Sequence, residues 1–244
     1  MRVSNWASIA AAVVIGLSAT ATSAATLSEG FAVVGNGTTT GLAAVGWRFS
    51  NQSTLASANF WRQGVSANGP APDGPATSYA IANFTDTTST AATGATISQW
   101  MITPVQAFNG GDHTITFKTR TATGNPFPDR LQVRLSTTTN ATGTLPEDVG
   151  SFTTLLLDIN PNELTGAANY PDTYLTQTIN LSGASVPANG FVAFRYYVHN
   201  AGANGANSNL IGFDTLNIVP VPEPTAMGLI GLVGAGMIRR RRSA

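Results

Sequence analysis

The chain has 244 residues and no cysteine. That absence excludes disulfides and thiolate metal sites. Lysine occurs once, at Lys118, and histidine twice, at His113 and His199. Neither histidine lies in a recognisable catalytic arrangement, and no Gly-x-Ser-x-Gly elbow accompanies them. Gly35-Asn36-Gly37 lacks the lysine and helix of a phosphate-cradling loop. Charge is scarce, at 10% of residues, so few carboxylates are available for paired acid–base work and nothing in their spacing selects a pair. No catalytic residue emerges, and the chain reads as a non-enzyme.

The formal net charge of zero conceals an asymmetry. Five basic residues, Arg2 and Arg239 to Arg242, stand at the ends. Without them, and without Glu223, seven cations face eleven acids, a net charge of −4. An acidic body with one lysine excludes nucleic acid as a partner, because phosphate binding needs clustered Lys and Arg.

Long apolar runs are also missing, and the two short ones are terminal. Residues 1–25 begin with Arg2, continue through the apolar stretch Ala7 to Leu17, and end in small residues around Thr22-Ser23-Ala24-Ala25. The stretch is too short to span a bilayer and has no polar face, which makes it a secretory signal peptide. It implies the Sec export machinery and signal peptidase as partners. At the other end, Thr225 to Ile238 carries no charge. As a helix it would reach about 21 Å at 1.5 Å per residue, a marginal transmembrane span. Pro220, Pro222 and Pro224 block its upstream extension. Arg239, Arg240, Arg241 and Arg242 would hold the basic side in the cytoplasm.

Between the ends, period-two alternation dominates. Leu131, Val133 and Leu135 share one face of a run, and so do Ile115 with Phe117, and Ile179 with Leu181. Phe191 to Val198 reads as a central strand and Leu210 to Val219 as the last. Earlier strands fall at Thr26–Val34, Val45–Ser50, Ser78–Phe84 and Ile97–Thr103. Turn residues punctuate them at Asn109-Gly110-Gly111-Asp112, Thr123-Gly124-Asn125-Pro126 and Asn160-Pro161. Roughly 195 residues suffice for one domain with a real core. The fold class is all-β: a two-sheet antiparallel jelly-roll sandwich, flanked by the signal peptide and a short C-terminal transmembrane helix. The domain limits are 1–25, 26–219 and 220–244.

Two resemblances sharpen this reading. Val221-Pro222-Glu223-Pro224, the glycine-rich apolar run and Arg239 to Arg242 together resemble the PEP-CTERM sorting signal of Gram-negative bacteria. That resemblance implies recognition by an exosortase, a membrane transpeptidase, with cleavage near Pro222-Glu223-Pro224 and a link to exopolysaccharide and biofilm. It also implies transient anchoring in the inner membrane before delivery to the cell surface or matrix. The body is similar to choice-of-anchor J domains, relatives of cleaved-adhesin and MAM-like jelly rolls. The similarity rests on the order of Leu27-Ser28-Glu29-Gly30-Phe31, Val45-Gly46-Trp47, Trp100-Met101-Ile102-Thr103-Pro104, Phe127-Pro128-Asp129-Arg130 and Ile211-Gly212-Phe213-Asp214.

Two candidate ligand sites remain. Glu29 in the first strand and Asp214 in the last would meet if the sandwich brings its ends together, and could hold a structural calcium ion. For Asp214, set among Ile211, Phe213 and Leu216, three readings compete: calcium, an arginine partner such as Arg195, or a surface-facing carboxylate. Trp61, in Asn59-Phe60-Trp61-Arg62-Gln63, is the candidate carbohydrate contact, while Trp47 and Trp100 read as core. The molecular role is structural or adhesive, with a carbohydrate-binding module as the rival.

Overall fold

A computed structural model describes residues 27–35, 39–183 and 186–221. The signal peptide, Pro222 to Pro224, the apolar run and the arginine cluster lie outside these residues. The described residues form twelve strands: β1 (Leu27–Glu29), β2 (Arg48–Asn51), β3 (Arg62–Gln63), β4 (Ala80–Asn83), β5 (Thr96–Ile102), β6 (Gln106–Ala107), β7 (His113–Thr121), β8 (Leu131–Ser136), β9 (Thr154–Ile159), β10 (Leu175–Leu181), β11 (Asn189–His199) and β12 (Leu210–Pro220). Among the described residues the only helices are short 3₁₀ turns, and none is long and apolar enough to cross a membrane.

The strands make two antiparallel sheets. The first runs β10-β7-β12-β4-β3, with β1 also paired to β12. The second runs β2-β5-β11-β8-β9, with β6 paired to β11. The two-sheet antiparallel sandwich expected from the alternation is therefore what forms. Inner-face residues Ile115, Phe117, Leu131, Val133, Leu135, Ile179, Leu181, Val192, Phe194, Tyr196, Ile211, Phe213 and Ile218 pack into one core. Its centre is aromatic: Phe213 stacks on Phe117 at 4.9 Å and meets Phe194 at 4.4 Å. Such contacts add about 0.5–1.5 kcal/mol each beyond area burial.

The outer faces are partly covered too, which simple alternation does not anticipate. Every residue of β5 is buried. On its outer side the segment 137–153 folds back, so that Phe152 packs on Trp100 at 5.5 Å. Arg195 lies beneath the same segment, its guanidinium 4.6 Å from the Trp100 ring and 3.7 Å from that of Tyr197. It donates to Ser98 Oγ at 3.0 Å, to Gln132 Oε1 at 3.3 Å and to the Pro146 carbonyl. Burial pushes its pKa down to about 9.

Register defines two poles. At the first, β7 begins, β10 ends and β12 ends, because His113 pairs with both Leu181 and Pro220. Leu27 pairs with Ile218, so β1 starts at this pole as well. In the second sheet β11 starts there, with Asn189 opposite Ala107. At the far pole lie the loops 84–95, 122–130, 160–174 and 200–209. A bulge interrupts the β12–β7 ladder between Asp214 and Asn217, where Thr215 takes a φ of 53°.

Candidate functional site

The far pole holds a cleft of about 300 Å³ between the β7–β8 and β9–β10 loops. Phe127 and Leu164 are exposed on its lining, and Asp129 and Tyr170 are buried there. Asn125, Thr165 and Asp172 complete its polar surface. Phe127 reaches 43% exposure, the highest of the large aromatic side chains among the described residues. An exposed ring beside hydroxyl, amide and carboxylate groups suits a small polar ligand with an apolar face.

Asp129 organises the pole. Its Oδ1 accepts from Tyr196 Oη at 2.5 Å and from the Asn209 amide at 2.9 Å. Its Oδ2 accepts from Asn125 Nδ2 at 3.0 Å and from the Thr121 hydroxyl. The end of β7, the 122–130 and 200–209 loops and a core tyrosine thus converge on one carboxylate. Burial pushes its pKa up to about 6 against the pull of these donors. The rim is clipped on separately: Asn160 Nδ2 donates to the Asp129 and Leu164 carbonyls at 2.8 and 2.9 Å, and Asn160 Oδ1 accepts from the Leu164 amide.

Beside the cleft runs a charged chain. Arg130 binds Asp158 in bidentate fashion, at 2.9 and 2.7 Å, and approaches Glu163 at 3.6 Å. Glu163 accepts from His199 Nδ1 at 2.7 Å and from Asn207 Nδ2 at 3.0 Å. His199 Nε2 meets Tyr197 Oη at 3.0 Å. His199 closes the end of β11, as its place in the sequence suggests, and ties the Glu163 loop to that strand. His113, at the turn into β7, is buried, with Nδ1 on the Gly111 carbonyl at 2.8 Å and its ring edge-on to Phe108.

The sequence-derived ligand candidates lie elsewhere. Trp61 is fully buried between the sheets, edge-on to Phe213 at 6.0 Å, with Nε1 donating to the Gln99 carbonyl at 3.2 Å. It has no face to offer a sugar, and the carbohydrate reading of this residue is corrected. Trp47 and Trp100 are buried, as their apolar flanks imply.

Glu29 and Asp214 do sit on paired strands, since Glu29 is opposite Leu216. Glu29 Oε1, however, accepts from the Phe31 amide at 2.7 Å, closing a local turn whose Phe31 has a φ of 50°. Asp214 is neither surface-facing nor paired with Arg195, which belongs to the other sheet. Its Oδ1 accepts from the Thr215 amide at 2.6 Å, while Oδ2 is buried without a partner. Nearby, Lys118 and Thr215 both bind Asp73 Oδ2, at 2.6 and 2.8 Å. No group of three or more His, Cys, Asp or Glu converges among the described residues. Calcium takes six to eight oxygens. Two carboxylates, one of them capping its own turn, do not assemble that shell by themselves.

Asp86, Asp129 and Asp214 share one electrostatic property: burial pushes each up to about 6. For Asp86 this outweighs an Arg62 ion pair at 2.9 Å. The unfolded carboxyls ionise near 3.8. The folded state therefore holds protons that the unfolded state releases between about pH 4 and 6. The stability they contribute is full below the lower value and lost as pH rises through the upper one. The melting temperature is expected to be higher at pH 5 than at pH 7.5, as differential scanning calorimetry can check. A lower value at pH 5 would contradict the assignment.

Fold and cleft define a two-sheet antiparallel β-sandwich with a far-pole cleft and no catalytic constellation among its described residues. Residues 220–242 match the PEP-CTERM protein-sorting motif. That motif marks an exported protein of the cell surface. The K1 cleaved adhesin domain of Lys-gingipain from Porphyromonas gingivalis superposes with a TM-score of 0.50 at 19% identity, over 81% of this chain and 99% of that one. The K2 cleaved adhesin domain of Lys-gingipain gives 0.50 at 14% identity, over the same shares. At these identities the likeness is one of fold. No curated protein matches the chain in sequence.

Proposed function

We propose that the chain is a non-enzymatic surface protein with a structural or adhesive role, delivered by exosortase recognition of its tail to the cell surface or an exopolysaccharide matrix. In this reading the signal peptide directs Sec export, and the tail pauses in the inner membrane before cleavage. The observation that carries it is the sorting-motif match at 220–242, which begins on the last paired residue of β12. Replacing Pro222, Glu223 and Pro224 with alanine is expected to abolish processing and leave an uncleaved chain in the inner-membrane fraction. Mass spectrometry of the C-terminus decides this. A native C-terminus on the variant would refute the reading.

The far-pole cleft favours a second reading, in which the body binds a sugar of the matrix polymer. Phe127 supplies the stacking ring, and Asn125, Thr165 and Asp172 supply hydroxyl partners. Affinity electrophoresis in the cell's own polysaccharide tests it. Phe127→Ala is expected to weaken retardation about two- to tenfold, the scale of one lost aromatic stack. Unchanged retardation would remove the cleft from consideration.

A further inference from the structure

The positions of the two chain ends carry an inference about what the sandwich rests on before its tail is removed. It rests on the reading of 225–238 as a membrane-embedded segment. β12 stays paired through Pro220, opposite His113, and the Val221 amide still donates to the Asp112 carbonyl at 2.8 Å. Only Pro222, Glu223 and Pro224 then separate the folded body from Thr225. Three residues reach at most about 10–11 Å. So short a tether, leaving the first pole, does not let a sandwich of this size turn that pole away from a bilayer.

Other features of that pole fit contact with lipid. Leu27, opposite Ile218, brings the start of the body to the same place, so the signal-peptide junction and the tail junction are neighbours. The connections 103–112 and 182–188 contain one charged residue, Asp112. Arg48, at the start of β2, lies at this end of the second sheet, opposite Ile102. Val45, Val105 and Val221 are exposed around it. The far-pole loops 84–95, 122–130 and 160–174 carry Asp86, Asp129, Glu163 and Asp172 against Arg130. At the end where the tail leaves, the charges of the connections 103–112 and 182–188 and of the β2 start are Asp112 and Arg48, one of each sign, while Glu147 and Asp148 lie in the 137–153 segment that folds back from this pole over the outer face of β5. Anionic headgroups repel acidic surfaces and tolerate neutral ones.

We infer that the pole bearing both chain ends is a membrane-facing surface, seated on the phospholipid headgroups while the tail is embedded, and that the far-pole cleft points away from the lipid. The surface needs no pocket: it is a small, nearly uncharged platform with exposed valines, and the bilayer is its partner. After cleavage the same platform becomes free.

The absence of native cysteine makes the test direct. Val105→Cys at the first pole and Ala167→Cys at the far pole are both exposed positions. Each full-length variant is labelled with a fluorophore and reconstituted into phosphatidylethanolamine–phosphatidylglycerol vesicles containing a headgroup spin-label quencher. Flotation first establishes that the chain is in the vesicle fraction. Quenching at residue 105 is expected to exceed that at residue 167 several-fold. Equal quenching, or more at residue 167, in chains that float overturns the orientation while leaving the tail reading intact. Chains that do not float overturn both.

Discussion

Trp61→Ala is expected to destabilise the fold by about 3–5 kcal/mol, the cost of deleting a large buried aromatic. The loss has three sources: the transfer of the indole, the void it leaves and the Gln99 carbonyl stripped of its donor. Trp61 meets Phe213, which in turn contacts Phe31, Phe117 and Phe194, so the void opens at the centre of the aromatic core. Relaxation into it would have to move both sheets. A domain of this kind has about 5–15 kcal/mol in total. Urea unfolding followed by intrinsic fluorescence gives the number. A variant with parental stability and weakened polysaccharide binding would return Trp61 to the surface and discredit the packing described above.

Asp129→Ala should cost a comparable amount, on the order of 3–5 kcal/mol, for a different reason. The carboxylate has no opposite charge beside it; it is held by the hydroxyls of Tyr196 and Thr121, the Asn125 amide group and the Asn209 backbone amide. Removing it leaves those donors buried and unanswered, and releases the 122–130 and 200–209 loops from one another. Asp129→Asn keeps one acceptor but turns an NH₂ towards two existing donors, so its loss should be smaller without vanishing. Tyr196→Phe removes a single bond and should cost about 1 kcal/mol. This ranking, measured by chemical denaturation at pH 7.5, separates a structural organiser from a passive loop acid. Equal stability of Asp129→Ala and parent would discredit it.

Much of the sandwich was legible because its core strands alternate. Leu131-Gln132-Val133-Arg134-Leu135 announces its inner face directly. β9 escaped because Thr154-Leu155-Leu156-Leu157 does not alternate, and because it is an edge strand that leaves Leu155 exposed. β3 and β6 are only two residues long and have no period to read. Trp61 was misplaced because its neighbours Asn59, Arg62 and Gln63 look like surface. Its burial depends on Gln99 and Phe213, far along the chain. The cleft was illegible for the same reason. Phe127-Pro128-Asp129 is visible as a motif, but the partners of Asp129 include Tyr196 and Asn209, separated from it by 67 and 80 residues. Local pattern reports which way a side chain points; it does not report which distant donor will meet it.

The position of β12 also sets a clock. It is the last strand of the body, yet it lies inside its sheet, joining β7 on one side to β4 and β1 on the other. Among the described residues β1 has no other partner strand, and the β3–β4 pair has no other link to its sheet. A chain delivered amino end first therefore holds more than 180 residues of body before these strands can find their register. Contacts of such sequence separation form slowly. Until residues 210–220 arrive, β1 and the β3–β4 pair stay unjoined to β7 and β10, and this sheet of the sandwich is incomplete.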